Sequence, residues 1–209
     1  MPKKIVYVTQ SEYKRQENRL FCDQPFRQKK VRDFVEFDLR EATIPEVLEV
    51  NLEEMVKHEV KAAYQRFRVP CIVEHAGLIF EDYESASYPG GLTKPMWNAL
   101  GENFVKETQS SSRGAIARAV VAYCDGLSIH TFVGETRGII AEAPKGDRQF
   151  YWDTIFIPRQ PDQSNTLTYA EIASDARGVE HKVELSQSSK AMQQFVAFFL
   201  DAESSDLWR

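Results

Sequence analysis

Val69-Pro70-Cys71-Ile72-Val73-Glu74-His75-Ala76-Gly77-Leu78-Ile79-Phe80 is an apolar run of strand length, interrupted by an acid and a histidine and then by Ala-Gly. This pattern predicts a buried strand that delivers Glu74 and His75 to the mouth of a site. A hydrogen-bonded histidine at the rim of the core is the competing reading of His75. Upstream, residues 5–8 predict a first buried strand that runs into Thr9-Gln10-Ser11-Glu12-Tyr13-Lys14 ahead of a polar helix. A strand, a turn of hydroxyl residues and a helix start aim backbone amides at a phosphate, and Lys14 adds a point charge. Ser11 serves equally as a plain helix N-cap.

Residues 31–39 predict a second strand, followed by Ile44-Pro45-Glu46 as an extended link. Asn51 with Glu54 predicts a capping box, and Leu52, Met55, Val56, Val60, Ala63, Tyr64 and Phe67 keep helical spacing after it. Lys57 and Lys61 fall at or near the edges of that helix. Beyond the opening run, Tyr88-Pro89-Gly90-Gly91 breaks the chain and Pro95 suits the first turn of a helix through Trp97 and Leu100. Lys94 then stands at a loop-to-helix junction. Residues 115–123 and 128–133 flank Asp125-Gly126, a hairpin signal, and residues 138–141 predict a further strand. Antiparallel pairs therefore combine with helix-connected strands.

Phe150-Tyr151-Trp152-Asp153-Thr154-Ile155-Phe156 suits stacking on a planar ring with hydrogen bonding to its edge, or an aromatic core strand. After Tyr169-Ala170-Glu171-Ile172 comes a polar span containing His181. A last helix is predicted over residues 190–200, its apolar face serving the core or a subunit contact.

The 209 residues suffice for one domain with a real core, and 43% hydrophobic with 27% charged residues fits a folded chain. A net charge of −5 gives no support to a general nucleic-acid binder, so a polyanion site has to be local. Cys22, Cys71 and Cys124 make no metal spacing and fit a reducing, cytoplasmic compartment. No signal peptide or membrane span is expected, and neither is an internal repeat or a domain boundary.

Set in this order, the windows resemble the inosine/xanthosine triphosphate pyrophosphatase family, which hydrolyses non-standard purine nucleoside triphosphates to the monophosphate and pyrophosphate. The resemblance covers roughly residues 4–200. Thr9 and Lys14 are similar to the ends of the family's Thr-Gly-Asn-x-x-Lys loop. Glu46 resembles its Leu-Pro-Glu magnesium ligand, Lys57 its helix lysine near the phosphates, and Lys94 the lysine after its Pro-Gly loop. The stretch from Phe150 to Phe156 resembles Phe-Gly-Trp-Asp-Pro-Ile-Phe, and Tyr169 to Ile172 resembles Tyr-Ala-Glu-Met. Three places depart from the pattern. Glu74-His75-Ala76-Gly77-Leu78 carries histidine where the family has its catalytic aspartate. Gln10-Ser11 replaces Gly-Asn, and Ser186-Gln187-Ser188 replaces the Ser-His-Arg that reads the purine six-position carbonyl.

The resemblance implies an α/β fold: a mixed, twisted central sheet with helices on both faces, and two lobes around a nucleotide cleft within a single unit, residues 1–209. It implies nucleoside triphosphate pyrophosphohydrolysis with Mg2+, Mn2+ being the alternative ion, in a homodimer. Thr9, Ser11, Lys14, Lys57 and Lys94 would bind phosphates, and Glu46 and Glu74 the metal. His75 and Glu74 would carry catalysis, and Phe150, Trp152, Asp153, Ser186 and Gln187 would hold the base. A neutral imidazole is a poor magnesium ligand, so His75 is expected to act on water. Loss of the His-Arg pair is expected to relax base discrimination. The alternative is a catalytically inactive nucleotide-binding or dimeric interaction protein of the same fold.

Overall fold

A computed structural model describes residues 1–108, 113–147, 151–159, 166–175 and 177–202. The chain opens with β1 (Lys3–Val8), whose Ile5 and Tyr7 enter one core while Val6 and Val8 enter another. This is the period-two alternation of a strand covered on both faces. Helix α1 (Glu12–Cys22) begins at Ser11, and a small hairpin, β2 (Pro25–Phe26) with β3 (Lys29–Lys30), leads to β4 (Val35–Arg40). Helix α2 (Leu52–Phe67) precedes β5 (Cys71–Phe80), and α3 (Thr93–Leu100) follows it. Two long strands, β6 (Gly114–Cys124) and β7 (Ile129–Ile140), and the short β8 (Phe156–Pro158) complete the sheet. Helices α4 (Tyr169–Ala173), α5 (Gly178–Leu185) and α6 (Gln187–Ala202) close the chain.

The six-stranded sheet has the order β4-β1-β5-β6-β7-β8. Strands β4, β1 and β5 run parallel, and β5 through β8 form an antiparallel meander. Helices cover both faces. Phe21 of α1 and Met192, Phe195 and Phe199 of α6 pack on Tyr7, Ile72 and Val121. Leu52, Met55, Val56, Val60 and Ala63 of α2 pack on Val8, Val73 and Val120 from the other side. A third core surrounds the far halves of β5 and β6, where Leu78, Phe80 and Ala117 meet Phe104, Trp152, Phe156 and Tyr169. The mixed α/β sheet with helices on both faces is the architecture expected from the sequence.

Several local expectations change. Residues 31–39 are not one strand: Val31–Asp33 makes a single tight turn before β4 begins at Val35. Asn51 caps α2 through the Glu53 amide, but no capping box closes, because Glu54 turns to Lys57. The two strands expected at 128–133 and 138–141 are one continuous strand, β7. Gly134 marks a close crossing there and not a break, since a Cβ at this position would lie 2.0 Å from the Gln187 carbonyl oxygen at the start of α6. The polar span around His181 is α5. Its inward face carries a lysine, Lys182, beside Val183, and this hides the amphipathic pattern. The final helix begins at Gln187, three residues earlier than expected. Among the described residues no helix is long and apolar enough to cross a membrane.

Gly77 fixes the middle of β5 against the loop that follows it. A Cβ there would lie 2.1 Å from the Gly90 carbonyl oxygen, and Thr93 Oγ1 bridges the two segments by accepting from the Leu78 amide and contacting Gly90 O. Because the colliding atom is backbone, Gly77→Ala forces the loop to move, at a cost of about 1–3 kcal/mol by analogy with overpacked cores. Urea unfolding checks this: a midpoint equal to that of the parent protein would contradict the close packing.

Candidate functional site

Strands β1 and β5 pair only through Val6 with Cys71 and Tyr7 with Ile72. Beyond Tyr7 the chain turns away toward α1, while β1 stays paired with β4 as far as Val8 and Arg40. The edge of β5 from Val73 to Ala76 is therefore left open on that side. The connections leaving β1 and β4 pass to opposite sides of β1, and open α/β sheets bind ligands where strand order reverses in this way. A cleft of about 380 Å³ lies there, lined by residues 8–14, by Ala42, Ile44 and Glu46, by Glu59, by residues 73–76, and by Lys94, Tyr151 and Trp152.

The loop from Thr9 to Ser11 is held by its own hydroxyls. Thr9 Oγ1 accepts the Ser11 amide at 3.2 Å, and Ser11 Oγ accepts the Lys14 amide at 3.4 Å. Ser11 is thus the N-cap of α1. Lys14 reaches across the cleft, where Nζ donates to the Glu74 carbonyl oxygen and stands 4.0 Å from Glu74 Oε2. Elsewhere in the cleft Lys94 Nζ lies 3.6 Å from Glu46 Oε1 and over the Tyr151 ring. Both lysines and Glu46 meet at the cleft as the sequence suggested. Lys57 does not: it pairs with Glu54 at 2.7 Å on the exposed face of α2.

Successive strand residues point to opposite faces, which separates Glu74 from His75. Glu74 turns toward α1 and α6, where Oε2 accepts the Tyr7 hydroxyl at 2.7 Å and Oε1 accepts the Ser188 hydroxyl at 2.8 Å. Burial, and then Glu74, raise the Tyr7 hydroxyl well above the ordinary phenol range. With both carboxylate oxygens engaged, Glu74 braces the cleft wall and is poorly placed to hold a metal. His75 turns toward α2, and its Nδ1 lies 3.4 Å from Oε1 of Glu59; both side chains are nearly buried.

At the far end, the expected base-contacting residues are spread between a core and a narrow recess. Trp152 is 2% exposed, with its ring against Phe156 and Tyr169, and lines the cleft only at its margin. Asp153 is buried and accepts from Lys182, which also donates to Glu17 at 2.7 Å. Burial, opposed by Lys182, lifts Asp153 to about 6, while Asp153 and Glu17 outweigh burial and raise Lys182. Ser186 Oγ accepts the Ser189 amide, and Gln187 Oε1 accepts the Tyr169 hydroxyl. Ser186, Ser188 and Tyr7 border a narrow recess that shares Lys14 and Glu74 with the cleft. Phe150 lies outside the described residues.

Sequence reasoning missed Glu59, Tyr7 and Lys182. Two of them carried a signal: Glu59 falls among Met55, Val56, Val60 and Ala63 on the apolar face of α2, and Lys182 falls beside Val183 on that of α5. A charge on an apolar face is rarely buried without a partner. Tyr7 looked like any strand aromatic. Among the described residues, no three His, Cys, Asp or Glu side chains gather as a metal site.

Comparison with known proteins follows this geometry. The Ham1 family model matches residues 5–198. A dITP/XTP pyrophosphatase of Methanopyrus kandleri is 32% identical over 168 residues, covering 79% of this chain and 84% of the relative. An inosine triphosphate pyrophosphatase of Candida glabrata is 31% identical, covering 74% and 78%. Among solved structures, a HAM1 protein from Coxiella burnetii matches with a TM-score of 0.66 at 19% identity, covering 95% of this chain and 99% of the other. The Staphylococcus aureus Ham1 protein matches with a TM-score of 0.64 at 19% identity, covering 96% and 100%. With its sheet order, its cleft beside β1 and a family match along nearly its whole length, the chain belongs to the Ham1 family.

Proposed function

We propose that this protein is a nucleoside triphosphate pyrophosphohydrolase, cleaving the α–β phosphoanhydride to give the monophosphate and pyrophosphate. The observation that carries this reading is that Lys14 and Lys94 both line the cleft at the end of β1. It joins the pyrophosphatase names of relatives that match most of the chain. Two lysines in one cleft neutralise a phosphate chain laid along it, and Thr9 and Ser11 border its path. The base points toward the Glu74 side of the cleft, beside the narrow recess bordered by Tyr7, Ser186 and Ser188.

A divalent cation, Mg2+ or alternatively Mn2+, fits as an ion carried in by the triphosphate. Magnesium is commonly held by one or two carboxylates together with substrate phosphates, without a full protein cage. Glu46, half-exposed at the cleft and loosely paired with Lys94, would be the protein's ligand. The ion would neutralise charge on the phosphate oxygens. Assembly as a homodimer in the cytoplasm accords with this reading.

Pyrophosphate release from inosine, xanthosine and ordinary nucleoside triphosphates, with Mg2+ or Mn2+, tests the proposal. Turnover giving monophosphate and pyrophosphate is expected; release of phosphate alone, or silence with every triphosphate, would overturn it. Lys94→Ala should raise KM about 10- to 100-fold, the loss of a charge-assisted contact, whereas Lys57→Ala should leave KM unchanged. With Gln187 and Ser188 in place of His-Arg, kcat/KM for inosine triphosphate should exceed that for ATP by well under the roughly 10⁴-fold of sites that hydrogen-bond a distinguishing group. The Gln187→His/Ser188→Arg variant should widen that ratio; a ratio already near 10⁴ in the parent protein would contradict the assignment.

A further inference from the structure

Resting on the pyrophosphohydrolase reading, we propose that Glu59 supplies the catalytic carboxylate of the cleft, with His75 as its positioning partner. The family resemblance implies an acid on the strand and a lysine on the helix; here it is the helix that brings the acid to the cleft. Position 75, on the strand, holds an imidazole. The residue that α2 turns into the cleft is Glu59, while Lys57, the lysine matched to the family's, pairs with Glu54 away from it.

Three observations single out Glu59. It is 6% exposed and lines the cleft. Its Oε1 is buried and accepts no hydrogen bond among the described residues. A buried carboxylate oxygen left in this state costs roughly 1–3 kcal/mol or more, so its retention inside a cleft points to a partner that arrives with the substrate. Finally, His75 Nδ1 stands 3.4 Å away, long for a hydrogen bond but near enough to orient the carboxylate. Glu74 is not an alternative, because Tyr7 and Ser188 occupy both of its oxygens. Glu46 is not equivalent either, since it is half-exposed and sits beside Lys94.

In the step itself, a water held by Glu59 attacks the α-phosphorus. The new bond joins the water oxygen to that phosphorus, and the bond from phosphorus to the oxygen bridging the α- and β-phosphates breaks. That bridging oxygen keeps the electron pair and leaves with pyrophosphate. The proton lost by water passes to the Glu59 carboxylate and from there to solvent. Lys14 and Lys94 hold the chain while this happens, and His75 keeps the carboxylate facing the water.

The test compares Glu59→Gln, Glu59→Asp and His75→Gln with the parent protein, reading kcat, KM, Tm and the thermal shift produced by an α,β-methylene triphosphate. Glu59→Gln should lower kcat about 10²-fold or more, the usual share of a proton acceptor, with KM and the analogue's thermal shift near those of the parent. Glu59→Asp should recover part of that loss, and His75→Gln should cost less than Glu59→Gln. Near-parental kcat in Glu59→Gln and Glu59→Asp, or a larger loss in His75→Gln than in Glu59→Gln, would overturn the assignment while leaving the pyrophosphohydrolase reading intact. Failure of the parent protein to turn over any triphosphate would overturn both.

Discussion

Two pairs of residues, Val6 with Cys71 and Tyr7 with Ile72, are all that join β1 to β5. Everything distinctive about the site depends on how short this junction is. Its parallel pairing fastens the β4–β1 pair to the antiparallel meander that begins at β5, and its end opens the cleft. The Thr9–Lys14 loop fills one side of the gap, the open edge of β5 the other, and the segment through Ala42, Ile44 and Glu46 crosses beyond. A longer ladder would have closed the wall with backbone hydrogen bonds and left Glu74 and His75 inside an ordinary sheet.

Because β5 alternates, one strand serves two electrostatic tasks. Glu74 enters the face shared with α1 and α6 and is satisfied there by Tyr7 and Ser188, which ties the start of α6 to the sheet. The buried Lys182 draws in Asp153 and Glu17, linking α5, α1 and the segment before β8. Removing one member of such a group strands a buried charge, an expensive change that helps keep these elements in register. Glu59 is different, since it stands 3.4 Å from the His75 imidazole and its Oε1 accepts no hydrogen bond among the described residues. The contrast separates charges that build the cleft from the one that faces its contents.

Most of the fold was legible because it rests on local patterns. The alternation of β1, the spacing of α2, the Asp125-Gly126 hairpin and the long run at β5 each encode their own element. What misled were residues whose pattern serves a distant partner. Gly134 looks like a break and is a crossing point for α6; Lys182 looks like a solvent residue and is the centre of a buried cluster. The candidate site was partly legible. Lys14, Lys94, Glu46 and His75 all line the cleft, whereas Lys57, which resembles the family's helix lysine, pairs with Glu54 away from it. Its helical neighbour Glu59, two positions on, lies within the apolar stripe of α2, and that placement was readable had the stripe been followed through its charged member.

On the proposed reading, a water bound in this cleft attacks the α-phosphorus and expels pyrophosphate. Hydrolysis of inosine triphosphate in water enriched in oxygen-18, followed by phosphorus NMR of the products, addresses it directly. The label is predicted in the monophosphate alone, with unlabelled pyrophosphate. Label in pyrophosphate, or nucleoside diphosphate and phosphate as products, would contradict it.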